Sequence, residues 1–136
     1  MEVSLNLDGG PELERALKKL TAELRDEILL EAMLAAGEPI RHEASSRAPR
    51  GKTGILTDNI VVSPGVRYKP SVRIGIGDAG WYGRMVELGT KPRETKAGGS
   101  RGQVQAQPFL KPAFEAQKSV ALKTFRDVIR KRLGLE

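Results

Sequence analysis

Few residue types in this chain could carry out chemistry. Its 136 residues include no cysteine and a single histidine, His42. Thiolate nucleophiles, disulfides, cysteine-ligated zinc and iron–sulfur clusters are therefore excluded, as are metal sites built from several histidines. Ser45 follows His42 by three residues, but a Ser–His pair on one helix lacks the strained turn and the oxyanion site that acyl transfer requires. We therefore expect His42 at the surface, no enzymatic activity, no cofactor and no metal.

Two glycine-containing segments resemble parts of nucleotide-binding motifs. Gly51-Lys52-Thr53 matches the end of a phosphate-binding loop, but Ser46 stands where the motif requires its first glycine. Residues 75–80 spell G-x-G-x-x-G after a predicted strand. Too few residues follow to form the further βαβ units of a dinucleotide-binding fold. We therefore expect no nucleotide or cofactor at either segment.

The charge of the chain suggests a polyanionic neighbour. Lys and Arg number 23 against 17 Asp and Glu, which leaves a net charge of +6. Nucleic acid is the first candidate for such a neighbour, and an ordinary basic excess is the alternative. Aromatic residues are only 4% of the chain, and base stacking requires aromatic faces. A small basic nucleic-acid-binding protein therefore stays open as an alternative function.

The N-terminal half is predicted to be mainly helical. Residues 1–10 alternate apolar and polar side chains before a Gly-Gly pair, which indicates an extended arm or a short strand. Apolar residues then recur at three and four positions over residues 11–48. This pattern predicts one long helix kinked at Pro39, or two helices in line with a break there, ending before Pro49. No apolar run reaches the ~20 residues that span a bilayer, and no signal peptide is visible, so we expect no membrane contact and synthesis into the cytoplasm.

The second half alternates short strands and helices. Residues 60–62 and 72–76 have the β-branched content or the alternation of strands. Residues 55–57 are predicted to form a single turn, residues 81–88 a short helix ended by Gly89, and residues 109–133 a long helix. Residues 91–106 are basic and glycine-rich, and are predicted to be a mobile loop. The pattern predicts one α+β domain over residues 1–136, with a small, mostly antiparallel sheet packed against a long kinked N-terminal helix and a long C-terminal helix.

Three short blocks resemble a known family. They are Ala48-Pro49 followed by Thr53-Gly54-Ile55-Leu56, then residues 81–90 (WYGRMVELGT), then residues 107–114 (QPFLKPAF). Their order and spacing are similar to those of the small neck or tail-completion proteins of long-tailed bacteriophages, typified by gene product ten of coliphage HK-ninety-seven. The resemblance spans residues 11 to about 133. Gly83 departs from it, because the family often has alanine there, and so does the glycine-rich basic loop after Thr90.

The resemblance implies a virion structural protein without enzymatic activity. It implies a homo-oligomeric ring, of six copies, at the head–tail junction, which joins the head-closure (connector) complex to the tail tube or its terminator protein. Genome DNA would pass through the lumen without sequence-specific binding, and the virion would be assembled in the host cytoplasm. A tail-terminator ring is a second function in the same structural class.

The family blocks are expected to set the fold rather than to form a reactive site. Glu87 is predicted to be a buried or interfacial acid with a fixed basic or backbone partner, and Phe109 and Leu110 are predicted to be core residues. The N-terminal arm and the basic loop are the candidates for intersubunit contact. The residues assigned to the family motif are Pro49, Thr53, Gly54, Leu56, Tyr82, Val86, Glu87, Gly89, Thr90, Pro108, Phe109, Leu110, Pro112 and Ala113. The candidate partner contacts are Lys91, Arg93, Lys96 and Arg101.

Overall fold

The computed structural model describes residues 2–3, 11–50, 54–67, 69–77, 82–90, 93–94, 100–102 and 105–135. Five helices and five strands occur within these ranges. In chain order they are β1 (Glu2–Val3), α1 (Pro11–Lys18), α2 (Ala22–Arg47), α3 (Ile55–Asp58), β2 (Ile60–Pro64), β3 (Val72–Ile76), α4 (Gly83–Leu88), β4 (Arg93–Glu94), β5 (Ser100–Gly102) and α5 (Leu110–Leu133). The predicted α+β class, with long helices on a small antiparallel sheet, is confirmed.

The N-terminal helical region consists of two helices, and the break between them is not where the sequence predicts it. Helix α1 ends at Lys18, and Thr21 caps α2: its backbone is extended and its hydroxyl accepts a hydrogen bond from the Leu24 N–H at 3.2 Å. Of the two forms expected at Pro39, the break is wrong, because α2 continues through that residue, and the kink stays a prediction. The lost hydrogen bond of a proline costs a helix about 3 kcal/mol, and the packing of α2 on both α5 and the sheet offsets that cost.

Helices α2 and α5 form the most extensive packing in the molecule. Small side chains are fully buried along both helices, which lets the two backbones approach closely. Near one end of this pair, Nε of Arg132 in α5 lies 3.3 Å from Oε2 of Glu31, which is in the first half of α2. The buried residues along the two helices are Ile28, Ala32, Ala36, Ile40 and Ala44 of α2 and Leu110, Ala113, Ala121, Phe125 and Ile129 of α5.

The main sheet has three antiparallel strands in the order β1-β3-β2. Its inner face, on the side of α2, carries Val62 directly opposite Ile74, with Ile60 and Val72 buried on the same side. Helix α2 approaches this face closely at Gly37, where an added Cβ atom would lie 2.8 Å from Cγ1 of Val62. A side chain at position 37 would therefore separate the helix from the sheet.

The segment 91–106 contains regular structure, which the sequence prediction of a loop missed. Strands β4 and β5 pair antiparallel, with Arg93 opposite Gly102 and Glu94 opposite Ser100. Backbone hydrogen bonds form such a ladder without apolar side chains, so the polar composition of the segment did not indicate it. The mobility of the segment stays a prediction.

No helix within the described ranges is both long enough and apolar enough to cross a membrane.

Candidate functional site

The short helix α4 ends in a glycine turn, as the sequence predicts. Gly89 has φ of 74°, a conformation that favours glycine, and its N–H donates to the carbonyl of Met85 at 2.7 Å. This turn closes the helix directly after Glu87 and Leu88. The two side chains diverge, since Glu87 is partly buried while Leu88 is 65% exposed.

The Glu87 carboxylate caps the first turn of α5. Its Oε2 accepts hydrogen bonds from the backbone N–H groups of Phe109 at 2.6 Å and Leu110 at 3.0 Å, and its Oε1 accepts one from Lys111 at 3.3 Å. The first N–H groups of a helix have no partner within the helix, and a negative charge there also suits the helix dipole. The prediction that Glu87 has a fixed backbone partner is therefore confirmed, and the partner is the start of α5.

The third family block is attached to the second by further contacts. The Gln107 N–H donates to the carbonyl of Val86 at 2.7 Å. Phe109 is fully buried and Leu110 is 5% exposed, which confirms both as core residues. Pro112 lies in the first turn of α5, where its missing N–H is tolerated, and Ala113 is buried.

The first family block also contacts α4. Gly54 is left-handed with φ of 65°, and its carbonyl accepts a hydrogen bond from the buried Thr57 hydroxyl at 2.9 Å. Leu56 points at Gly83: a Cβ atom there would lie 2.7 Å from Leu56 Cδ1 and 2.6 Å from Ile76 Cδ1. The glycine at position 83, where the family often has alanine, therefore fits this tight contact.

Three blocks that are distant in sequence thus form one continuous cluster around α4. Leu56 of the first block contacts Gly83 of the second, and Glu87 of the second caps the helix that begins in the third. The proposed fold-setting role of the whole motif set stays a prediction, although these contacts agree with it. Thr53 lies outside the described residues, whereas Pro49, Tyr82, Thr90 and Pro108 lie within them.

An open groove of about 740 Å³ lies between the outer face of the sheet and the α4–α5 junction. Outward-facing residues of β2 and β3 form one wall, and α4 with the start of α5 forms the other. Exposed apolar side chains in the groove are Val61 (42% exposed) and Leu88, and three cationic side chains accompany them. The residues that define this groove, called the outer groove below, are Val61, Arg73, Arg84, Leu88 and Lys111.

The outer groove was not predicted from the sequence. Alternation along the strands would have placed Val61 on one face of β2 and Arg73 on one face of β3. Only the register between the strands, which sets Val61 opposite Gly75 and Ser63 opposite Arg73, brings them together. The alternation within each strand therefore indicated which residues share a face, but it did not indicate which residues of neighbouring strands lie side by side.

Nothing in the described residues places the predicted partner contacts of segment 91–106 in the outer groove. Arg93 lies in β4 and Arg101 in β5, while Lys91 and Lys96 lie outside the described residues. Their role as partner contacts stays a prediction.

The Ser–His pair and the two glycine-containing segments form no reactive arrangement in the described ranges. His42 is exposed on α2, and the Ser45 hydroxyl donates to the Thr57 carbonyl at 2.9 Å. Gly75 belongs to an antiparallel sheet rather than to a βαβ unit, and Gly77 directly follows strand β3 of that sheet. Residues 51–53 lie outside the described residues. Within the described part of the chain, no cluster of three or more potential metal ligands occurs.

One family model matches a continuous part of the chain. The model of the bacteriophage HK97-gp10-like family, described as a tail component, matches residues 11–89. The matched range contains the first block and all of the second except Thr90, so the resemblance of the third block lies beyond it. No curated protein and no solved structure matches the chain significantly. Because the match covers more than half of the sequence, the chain belongs to the HK97-gp10-like family of bacteriophage tail components.

Proposed function

We propose that this protein forms a ring at the head–tail junction of a long-tailed phage or prophage, joins the head-closure complex to the tail tube, and lets DNA pass through its lumen. The observation that carries this proposal is the family match over residues 11–89. A phage tail component is a virion protein, and its family is structural rather than enzymatic. The ring, its six copies and its position at the junction are the further steps that we propose.

The distribution of side chains supports a structural role. The motif residues of the central cluster are turned inward, to the core and to backbone N–H groups. Contact with other proteins is therefore left to the exterior, where the outer groove combines exposed apolar and cationic side chains. Such a combination is typical of protein interfaces, which have an apolar centre and a polar rim.

A tail-terminator ring would use the same kind of surface and stays a second possibility within the class. A nucleic-acid binder is the alternative from another class, and the net charge of +6 is the observation that favours it. The two classes differ in salt dependence, because affinity that comes from phosphate contacts falls steeply as salt rises. We expect weak duplex binding or none, measured by fluorescence anisotropy across a range of salt concentrations.

The function is tested by removing the gene from the phage that encodes this chain and examining the particles by electron microscopy. We expect full heads and free tails that do not join, and joined particles once the gene is supplied in trans. Normal, infectious virions without the gene would overturn the proposal.

The basic segment is tested in the same particles by replacing Lys91, Arg93, Lys96 and Arg101 together with glutamine. If these residues contact a protein partner, as we expect, heads and tails again fail to join. If they contact the genome, particles join but retain or eject DNA abnormally. A matched control variant neutralises four other exposed lysines, and heads and tails should join normally in it. These are Lys18 in α1, Lys19 directly after α1, and Lys118 and Lys123 in α5.

A further inference from the structure

The outer groove has the properties of a docking surface. Leu88 is 65% exposed and Val61 is 42% exposed, although both side chains are apolar and lie in one concave site. Arg73, Arg84 and Lys111 are exposed beside them, and within the described residues their side chains make no ion pair. An occupant of matching chemistry would present apolar and acidic side chains together.

A surface with that chemistry occurs elsewhere on the same chain, at the start of α2. Leu24 is 40% exposed there. Glu23, Asp26 and Glu27 are exposed around it, and none of them has an ion-pair partner among the described residues. Helical spacing places these four residues, called the acidic face below, on one side of the first two turns.

The two surfaces cannot meet within one molecule. Helix α2 contacts the sheet in its second half, at Gly37, and the groove lies on the opposite face of that sheet. Leu24 precedes Gly37 by 13 residues, which is about 20 Å along a helix axis. A second copy of the chain, however, can present its acidic face to the groove of the first.

We propose that the outer groove of one copy binds the acidic face at the start of α2 of the next copy. This inference rests on the ring proposed above and names the surfaces that build it. Because each copy offers one groove and one acidic face at different places, the contact is heterologous, and repetition of such a contact forms a ring when the rotation between neighbouring copies closes on itself. Leu24 would lie against Leu88 and Val61, with the acidic side chains beside the three cations.

The absence of cysteine from the chain allows a directional test. Leu88→Cys is made in one copy and Leu24→Cys in another, and the purified proteins are mixed and oxidised. We expect covalent dimers from the mixture and few from either variant alone. Val120→Cys, on an exposed position of α5, is the matched control, and it should cross-link to neither variant above the background level.

The charges are tested in the same assay. Arg84→Glu with Lys111→Glu, added to the Leu88→Cys copy, should sharply lower the yield of dimer. Asp26→Lys with Glu27→Lys, added to the Leu24→Cys copy, should restore it, because the signs are then exchanged across the contact. Circular dichroism verifies that each variant is folded. A chain with both cysteines should give a ladder of covalent oligomers that ends at the closed ring and so counts its copies.

Three results would overturn this inference: dimers no more abundant than with the Val120→Cys control, dimers formed mainly between two Leu88→Cys copies, or charge exchange that fails to restore the yield. Duplex DNA that binds the groove cations, with no cross-link between copies, would likewise overturn it. The ring at the junction would survive any of these results if particles without the gene still fail to join. Conversely, normal joining without the gene would refute the proposed function while the contact between copies stood.

Discussion

The two faces of the β2–β3 ladder differ although they are built from alternate residues of the same strands. On the inner face, Ile60, Ile74 and Val72 are almost completely buried beneath the helical layer. On the outer face, Val61 is 42% exposed and Arg73 is exposed. Apolar side chains occur on both faces, but among the described residues only the inner face is covered by other parts of the chain.

This difference shows how a small domain divides folding from contact. The inner face is packed against a helix that approaches so closely that position 37 has no room for a side chain. Among the described residues the outer face has no cover, and cations lie at its edge. Glu87 also lines the groove, but its carboxylate is bound to backbone N–H groups at the start of α5. The residues that hold the fold together are therefore largely separate from those available to a partner.

The largest expected effect contrasts one residue from each face. Ile74→Ala should lower the free energy of unfolding by about 2–5 kcal/mol, because it removes buried methyl groups and leaves a cavity. Val61→Ala, one ladder position away on the outer face, should change it by only about 0.5 kcal/mol. Denaturant unfolding of both variants measures the contrast, and equal losses would show that the outer face is packed as the inner one is.

The next effect concerns the boundary between the faces. Glu87→Ala should lower stability by about 2 kcal/mol, because three backbone N–H groups at the start of α5 lose a charged acceptor. Glu87→Gln should lose less, since its amide oxygen still accepts. Glu115→Ala removes an exposed partner of Lys118 and serves as the control, with an expected loss below about 0.5 kcal/mol. Thermal melts separate the three variants, and a Glu87→Ala protein as stable as the control would refute the capping role.

A smaller effect is expected where α2 approaches the inner face. Gly37→Ala gains about 1 kcal/mol of helix propensity but forces the new methyl group against Val62, so a net loss of about 1 kcal/mol is expected. In a Val62→Ala background the space is open, and the same change should stabilise the protein. A double-mutant cycle measures this reversal of sign. Additive effects would mean that the helix and strand do not compete for this space.

The smallest effect concerns self-association of the isolated protein through the outer face. Without covalent cross-links, we expect the isolated protein to be a monomer or a weak oligomer at micromolar concentration and to form a stable ring only on its partner. The groove offers two apolar side chains, whereas a stable interface needs a larger, well-packed centre. Light scattering measures the mass, and a stable hexamer of the isolated chain would contradict this expectation without affecting the family assignment.

Much of the fold could be predicted because the local periodicity of apolar side chains indicates helices and strands. The apolar spacing before Leu133 located α5 to within one residue of its start, and the alternation around Ile74 located β3. The break before α2 was misplaced because a proline is a stronger local signal than the threonine cap at Thr21, yet the packing of α2 overrides the proline. The β4–β5 ladder was missed because its pairing depends on backbone groups, which leave no trace in apolar composition.

By itself, the sequence determined the class of the fold, the family, the lack of cysteine-based and multi-histidine chemistry, and the inward role of Glu87, Phe109 and Leu110. Each of these follows from residue types and short spacings. Only the tertiary structure decided that Leu56, Gly83 and the start of α5 meet in one cluster, and that Val61 and Leu88 share an exposed groove with three cations. The physical reason is that such contacts depend on strand register and on how helices pack across the sheet, and these arise from the balance of burial over the whole chain.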